Sequence, residues 1–229
     1  MRNPIKKRII QIAGIIDEDE AKMVLDAGAT HLGFPFRLDF NQEDLTEEYA
    51  AQIINNLKIS DEAVLITYLD KSDEIIKLAD YLGCKTVQLH GPISLRELEK
   101  LRNDAPQLGI WKSLVVKNDN ADELTNLVRS MENLVDAFIT DTFNPDTGAS
   151  GATGKTHDWC VSKKITELSK KPVIIAGGLN PDNVFDAIIQ IKTLGVDVHT
   201  GVEKADGWKD KTKVKAFIDE ANRGFLKIR

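Results

Sequence analysis

The chain has 229 residues, 42% hydrophobic and 29% charged, ordinary values for a folded globular protein that exclude a disordered or collagen-like chain. Its 36 acidic residues outnumber 30 basic ones, a formal charge of −6 with no dense basic run, which argues against a nucleic-acid or anionic-membrane partner. The length fits one domain of a fold that needs roughly 200 to 250 residues, and the two cysteines, Cys84 and Cys160, form neither a disulfide framework nor a metal motif.

The first residues carry basic groups and only a short apolar stretch, so they read as a strand rather than a signal peptide. No apolar run approaches the ~18 residues of a membrane span, and a cytoplasmic location is expected. Strands are predicted at Arg8–Ala13, His31–Pro35, Ala63–Tyr68, Thr86–His90, Gly109–Ser113, Ala137–Thr140, Pro172–Ala176 and Val196–His199. Helical periodicity fills the intervals: Glu18–Ala27, Glu43–Leu57, Ser72–Leu82, Leu95–Asn103, Asp122–Met131, Val161–Leu168, Asp182–Leu194 and Lys211–Ala221. Eight continuous apolar strands, each followed by a helix, indicate an α/β fold, a single-domain (β/α)8 TIM barrel, with a doubly wound open sheet as the alternative. In a barrel the chemistry sits at the strand C-termini. Those positions hold Ala13-Gly14, Arg37, His90-Gly91, Lys112, Asp141, Gly177-Gly178 and His199-Thr200-Gly201.

The last two units carry the strongest local signal. Gly177-Gly178 leads from a buried strand into a helix start, with Asn180 expected as cap and Pro181 in the first turn. Thr200-Gly201 closes the eighth strand. Glycines let backbone N–H groups approach an anion, and a helix N-terminus adds partial positive charge. Gly177, Gly178, Thr200 and Gly201 are therefore expected to bind phosphate, as the loops after strands seven and eight do in many barrels. Ala149-Ser150-Gly151-Ala152-Thr153-Gly154-Lys155-Thr156 nearly spells a P-loop. A working P-loop follows its strand directly, whereas this segment begins well after Thr140, and it reads as a mobile loop able to close over substrate.

Val87-Gln88-Leu89-His90-Gly91, Asp141-Thr142, Gly151-Ala152-Thr153-Gly154-Lys155-Thr156-His157-Asp158-Trp159, Gly177-Gly178-Leu179-Asn180-Pro181-Asp182-Asn183-Val184 and Asp197-Val198-His199-Thr200-Gly201-Val202-Glu203, in that order, resemble the phosphoribosylanthranilate isomerase family. The resemblance continues through Gly207 and Lys209-Asp210 into the last helix and covers essentially the whole chain. It implies a (β/α)8 barrel of tryptophan biosynthesis that performs an Amadori rearrangement on a phosphorylated ribosyl-amine, with no metal and no organic cofactor. It also implies Asp141 as general acid, phosphate loops at Gly178 and Gly201, a substrate-carboxylate arginine at Arg37, and His90 near the substrate. Lys112 and Asp197 are further candidates for substrate binding, and the protein is expected to be a monomer or homodimer.

One motif departs from the family. Its base is a cysteine in a Lys-Ile-Cys-Gly-Ile-Thr context, where this chain has Gln11-Ile12-Ala13-Gly14-Ile15-Ile16. Loss of a general base costs on the order of 100- to 10,000-fold. Three readings accommodate Ala13. The isomerase reaction continues with His199, where the family usually has serine, as replacement base; the site is reassigned to another phosphosugar reaction, an isomerase, epimerase or lyase; or the chain is a non-catalytic phosphosugar binder. His31, at the start of strand two, is expected to be a surface or capping residue.

Overall fold

A computed structural model describes residues 8–38, 45–117, 120–142 and 159–228. Eight parallel strands close into a barrel in sequence order: β1 (Ile9–Ala13), β2 (His31–Phe36), β3 (Ala63–Thr67), β4 (Thr86–Leu89), β5 (Gly109–Val116), β6 (Ala137–Thr142), β7 (Val173–Ile175) and β8 (Gly195–Val198). The pairing of β1 with β8, Ile9 with Gly195 through Ile12 with Val198, excludes the open-sheet alternative. The helices α1 (Glu18–Asp26), α2 (Glu47–Leu57), α3 (Ser72–Leu82), α4 (Leu95–Asp104), α5 (Ala121–Met131), α6 (Trp159–Leu168), α7 (Val184–Ile191) and α8 (Lys211–Lys227) follow their strands.

Local chemistry accounts for many of the boundaries. Asp17, Thr46, Ser94 and Asp210 each accept a backbone N–H in the first turn of their helices, satisfying donors that the helix itself leaves open. Thr193 ends the seventh unit, its hydroxyl bonded to the carbonyls of Val173 and Gly195, so α7 stops at Ile191 rather than running to Leu194. In α8 the expected end at Ala221 gives way to six more residues. Gly224 continues the helix because its missing side chain admits Ile188 of α7, whose Cβ would stand 3.1 Å from a Cβ placed there.

Period-two alternation divides the strand residues into two cores. Ile9, Val64, Trp111, Ala137, Ile139 and Ile174 form a cluster in the lumen, while Leu32, Phe34, Leu65, Leu114 and Phe138 face the helices. His31 belongs to the lumen side. Its ring lies tilted against Trp111, centroids 5.1 Å apart, and burial pushes the imidazole down to about 4. It is not the surface residue expected from its place at a strand start. Among the described residues no helix is long and apolar enough to cross a membrane.

Candidate active site

Two strands run further than expected, and both extensions shape the mouth. β6 continues to Thr142, which makes Asp141 the last lumen-facing residue of a strand rather than a loop residue. β5 continues to Val116, pairing Val115 with Asp141. Lys112 therefore does not end strand five at the mouth. It lies in mid-strand, one residue out of phase with Trp111, on the helix-facing side. Its ammonium is buried and donates to the carbonyls of Leu89 (3.1 Å), Gly91 (3.0 Å) and Ser113 (2.8 Å), and burial brings it down to about 8. A polar pair, Lys112-Ser113, looked like a strand end; the β-branched residues after it show why the strand carries on.

Arg37 is also turned away. It takes a left-handed backbone (φ 56°) and its guanidinium pairs with Glu47 in the first turn of α2. Both residues line a cavity of about 260 Å³ toward α3, with Leu69, Lys77 and Tyr81. The structure does not bring Arg37 together with the other candidates. The P-loop-like segment and His157 lie outside the described residues.

The remaining candidates do converge. One recess is lined by Asp141, Asp197, His199 and the turns Gly177-Gly178 and Thr200-Gly201. Gly177 and Gly178 both have positive φ (89° and 66°), a backbone that only glycine adopts freely. A side chain would not fit either: a Cβ on Gly177 would lie 1.9 Å from Thr142 Oγ1, and one on Gly201 would lie 1.9 Å from the Leu179 carbonyl oxygen. The helix cap here is Asn183, not Asn180. Asn183 Oδ1 accepts from the Asn180 N–H (2.9 Å) and its amide donates back to the Gly178 carbonyl (3.0 Å), tying the glycine turn to the start of α7.

Below the recess a polar layer crosses the lumen. Gln11 Nε2 donates to Gln88 Oε1 (2.9 Å), Gln88 Nε2 to Ser113 Oγ (3.3 Å), and Ser113 Oγ stands 3.1 Å from His90 Nδ1. His90 Nδ1 lies 3.9 Å from Asp141 Oδ2. At the other end Gln11 faces Asp197 across the β1–β8 pairing, and its amide pulls that carboxyl downward. Gln11, Gln88 and Ser113 were not singled out from the sequence as site residues. The signal was their alternation with Ile9 and Trp111, which puts polar side chains inside a barrel where apolar ones are usual.

Two carboxyls thus sit buried beside one recess. Burial raises Asp141 to about 7, against the lowering pull of the Thr142 N–H on its Oδ1 (2.7 Å) and of His199. Burial likewise raises Asp197 to about 7, assisted by the charge of Asp141. Asp197 Oδ1 is buried without a hydrogen-bond partner among the described residues. His199 leaves β8 just before the short 3-10 turn Thr200–Val202, with Nε2 3.2 Å from Glu203 Oε1. An acid that holds its proton near neutrality, a nearby imidazole and a recess lined by glycine backbone form an arrangement suited to moving protons on a bound substrate. Among the described residues no group of three or more His, Cys, Asp or Glu side chains is placed to hold a metal ion.

Comparison with known proteins identifies the family. A family model described as N-(5'-phosphoribosyl)anthranilate (PRA) isomerase matches residues 10–220. N-(5'-phosphoribosyl)anthranilate isomerase 2 of Methanosarcina mazei is 34% identical over 221 residues, 96% of each chain. The isomerase of Geotalea uraniireducens is 35% identical over 93% of this chain and 97% of its own. Among solved structures, phosphoribosyl anthranilate isomerase of Thermotoga maritima superposes with a TM-score of 0.78 at 27% identity, covering 94% of this chain and 99% of its own. Another isomerase structure, in complex with reduced 1-(o-carboxyphenylamino)-1-deoxyribulose 5-phosphate, gives 0.75 at 25% identity. Since the family model spans the chain from β1 into α8 and curated relatives match nearly its whole length at 34% identity, the chain belongs to the phosphoribosylanthranilate isomerase family.

Proposed function

We propose that the protein isomerises phosphoribosylanthranilate, an Amadori-type aldose–ketose conversion, with Asp141 as general acid and His199 as general base. The observation that carries this reading is the buried Asp141 carboxyl, which titrates near 7 within electrostatic reach of His199 in the recess between the glycine turns. The phosphate is held by the N–H groups at Gly177-Gly178 and Thr200-Gly201, where positive backbone dipoles meet a dianion. Protonated Asp141 gives its proton to the furanose ring oxygen as the C1–O bond breaks, leaving an iminium at C1. His199 then removes the C2 proton and the electron pair forms the C1–C2 double bond of an enolamine. Tautomerisation to the 1-amino-2-ketose returns the balance, so no external oxidant or reductant is consumed. Asp197, with its unpartnered oxygen on the recess wall, and His90, beside Asp141, are assigned to substrate contact.

The test is turnover of phosphoribosylanthranilate by the purified protein, with the product identified by mass. Asp141→Asn is expected to abolish turnover and His199→Ala to lower it on the order of 100-fold or more. Ala13 favours one further reading, a phosphosugar binder that has lost its chemistry. Thermal stabilisation by the substrate without any product would select it, and turnover of a different phosphosugar would mark a reassigned enzyme.

A further inference from the structure

The residues around His199 settle more than its position. The imidazole is followed four residues later by Glu203, beyond a single 3-10 turn, and its Nε2 stands 3.2 Å from Glu203 Oε1. The same oxygen accepts from Lys209 Nζ at 2.6 Å, and the lysine side chain is wholly buried. A β-bridge between Glu203 and Lys209 fixes their backbones, and the Lys209 N–H donates to Glu20 Oε1 (2.7 Å), whose Oε2 accepts from Ile16 N (3.1 Å). Glu203 is thereby anchored to the loop that follows β1.

We propose that Glu203 is a positioning residue that fixes the tautomer of His199, holding the ring proton on Nε2 so that Nδ1 is the nitrogen that takes the substrate proton. This rests on the reading of His199 as base. Burial works to raise the Glu203 carboxyl, but the His199 ring 3.2 Å away and the bond from Lys209 overcome that and hold it at about 2. A carboxylate so held accepts only, so the ring nitrogen facing it carries hydrogen. A neutral imidazole has its lone pair on the other nitrogen. The ring is also confined from below, because a Cβ on Gly14 would lie 2.0 Å from His199 Nε2. Among the described residues, the other titratable groups that reach His199 are Asp141 on β6 and Asp197 on β8. Lys209, closer to the shared oxygen than the imidazole is, offsets the carboxylate's charge, so that Glu203 orients the ring without having to be neutralised by it.

The experiment is long-range 1H–15N correlation on the histidine-labelled protein at alkaline pH, with His199→Ala identifying its signals among the four histidines. The expected result is a single Nε2–H tautomer for His199; an Nδ1–H tautomer or a mixture in the unmodified protein overturns the proposal. Because Glu203→Ala leaves Lys209 buried without a carboxylate, the double variant Glu203→Ala/Lys209→Met is measured beside it. Both are expected to give mixed tautomers and a kcat lower on the order of 100-fold with KM little changed. Full kcat in a folded double variant, while His199→Ala is inactive, sinks the role of Glu203 alone. Full activity in His199→Ala sinks the base assignment, and the tautomer measurement then still judges the orientation.

Discussion

The imidazole of His199 occupies the space that a side chain at position 14 would need. A Cβ on Gly14 would lie 2.0 Å from His199 Nε2 and 2.7 Å from both Cδ2 and Cε1, so the ring packs flat over the end of β1. Gly14 also has φ 74°, which puts a second constraint on the same residue. Gly14→Ala is expected to lose about 1–3 kcal/mol from backbone strain alone and to displace the ring. In the double variant Gly14→Ala/His199→Ala only the strain remains, so denaturation should show the two changes to be less than additive. Additive losses would mean that the ring does not occupy that space in solution.

The two buried acids make stability depend on pH in a definite direction. Asp141 and Asp197 titrate near 7 in the fold, against about 3.9 in an unfolded chain. Between those values the folded state holds protons that the unfolded state has released, so stability is greatest at the acid end and falls as pH rises toward 7. The pair titrates as a unit, and His31, held neutral down to about 4 in the fold, works the other way below its unfolded value near 6.5, leaving a net loss on the order of a few kcal/mol. Urea denaturation from pH 4.5 to 8 should show this decline, and Asp197→Asn should flatten it. Turnover should fall on the alkaline side near pH 7 as Asp141 loses the proton it donates. A stability that rises through this window contradicts the burial that motivates the acid.

Much of the barrel was legible because buried parallel strands read as continuous apolar runs and the helices between them keep a 3.6-residue period. The glycine turns, Asp141 and His199 were legible for a related reason: each directly follows, or ends, an apolar strand. What escaped was set by neighbours distant in sequence. Lys112 follows Trp111 and looked like a strand terminus, yet its phase turns it to the helices, where the carbonyls of Leu89 and Gly91 hold it. Arg37 follows Phe36 at the expected place, but the carboxylate that draws it away is Glu47, ten residues on. The polar crossing from Gln11 through Gln88 to Ser113 joins three strands, and no local pattern announces such a contact.

Lys112 is accordingly expected to matter for the fold rather than for anion binding. Lys112→Met removes three donors to buried carbonyls and should cost about 1–3 kcal/mol. Because Leu89 and Gly91 flank His90, kcat should decline modestly, whereas the KM for phosphosugar should hold. Melting curves and steady-state kinetics distinguish the two. A large rise in KM at unchanged stability would instead return the ammonium to the phosphate.

Ala13 offers the most direct test of how the site assigns its base. It is buried at a lumen-facing position of β1, two residues beyond Gln11 and immediately before the glycine on which His199 rests. The family resemblance places a cysteine there. In the unmodified protein His199 covers this strand end, so Ala13→Cys alone should change turnover little. In a His199→Ala background the ring is gone and the space above Gly14 is open. The double variant Ala13→Cys/His199→Ala should then recover on the order of tenfold of the activity that His199→Ala loses, with the thiolate taking the C2 proton. Its pH profile should shift upward, toward the ordinary cysteine range near 8.5. Recovery with that shift shows that one substrate pose serves either base. If Ala13→Cys alone raises turnover many-fold while His199→Ala has no effect, the proton is not handled by the imidazole in this protein.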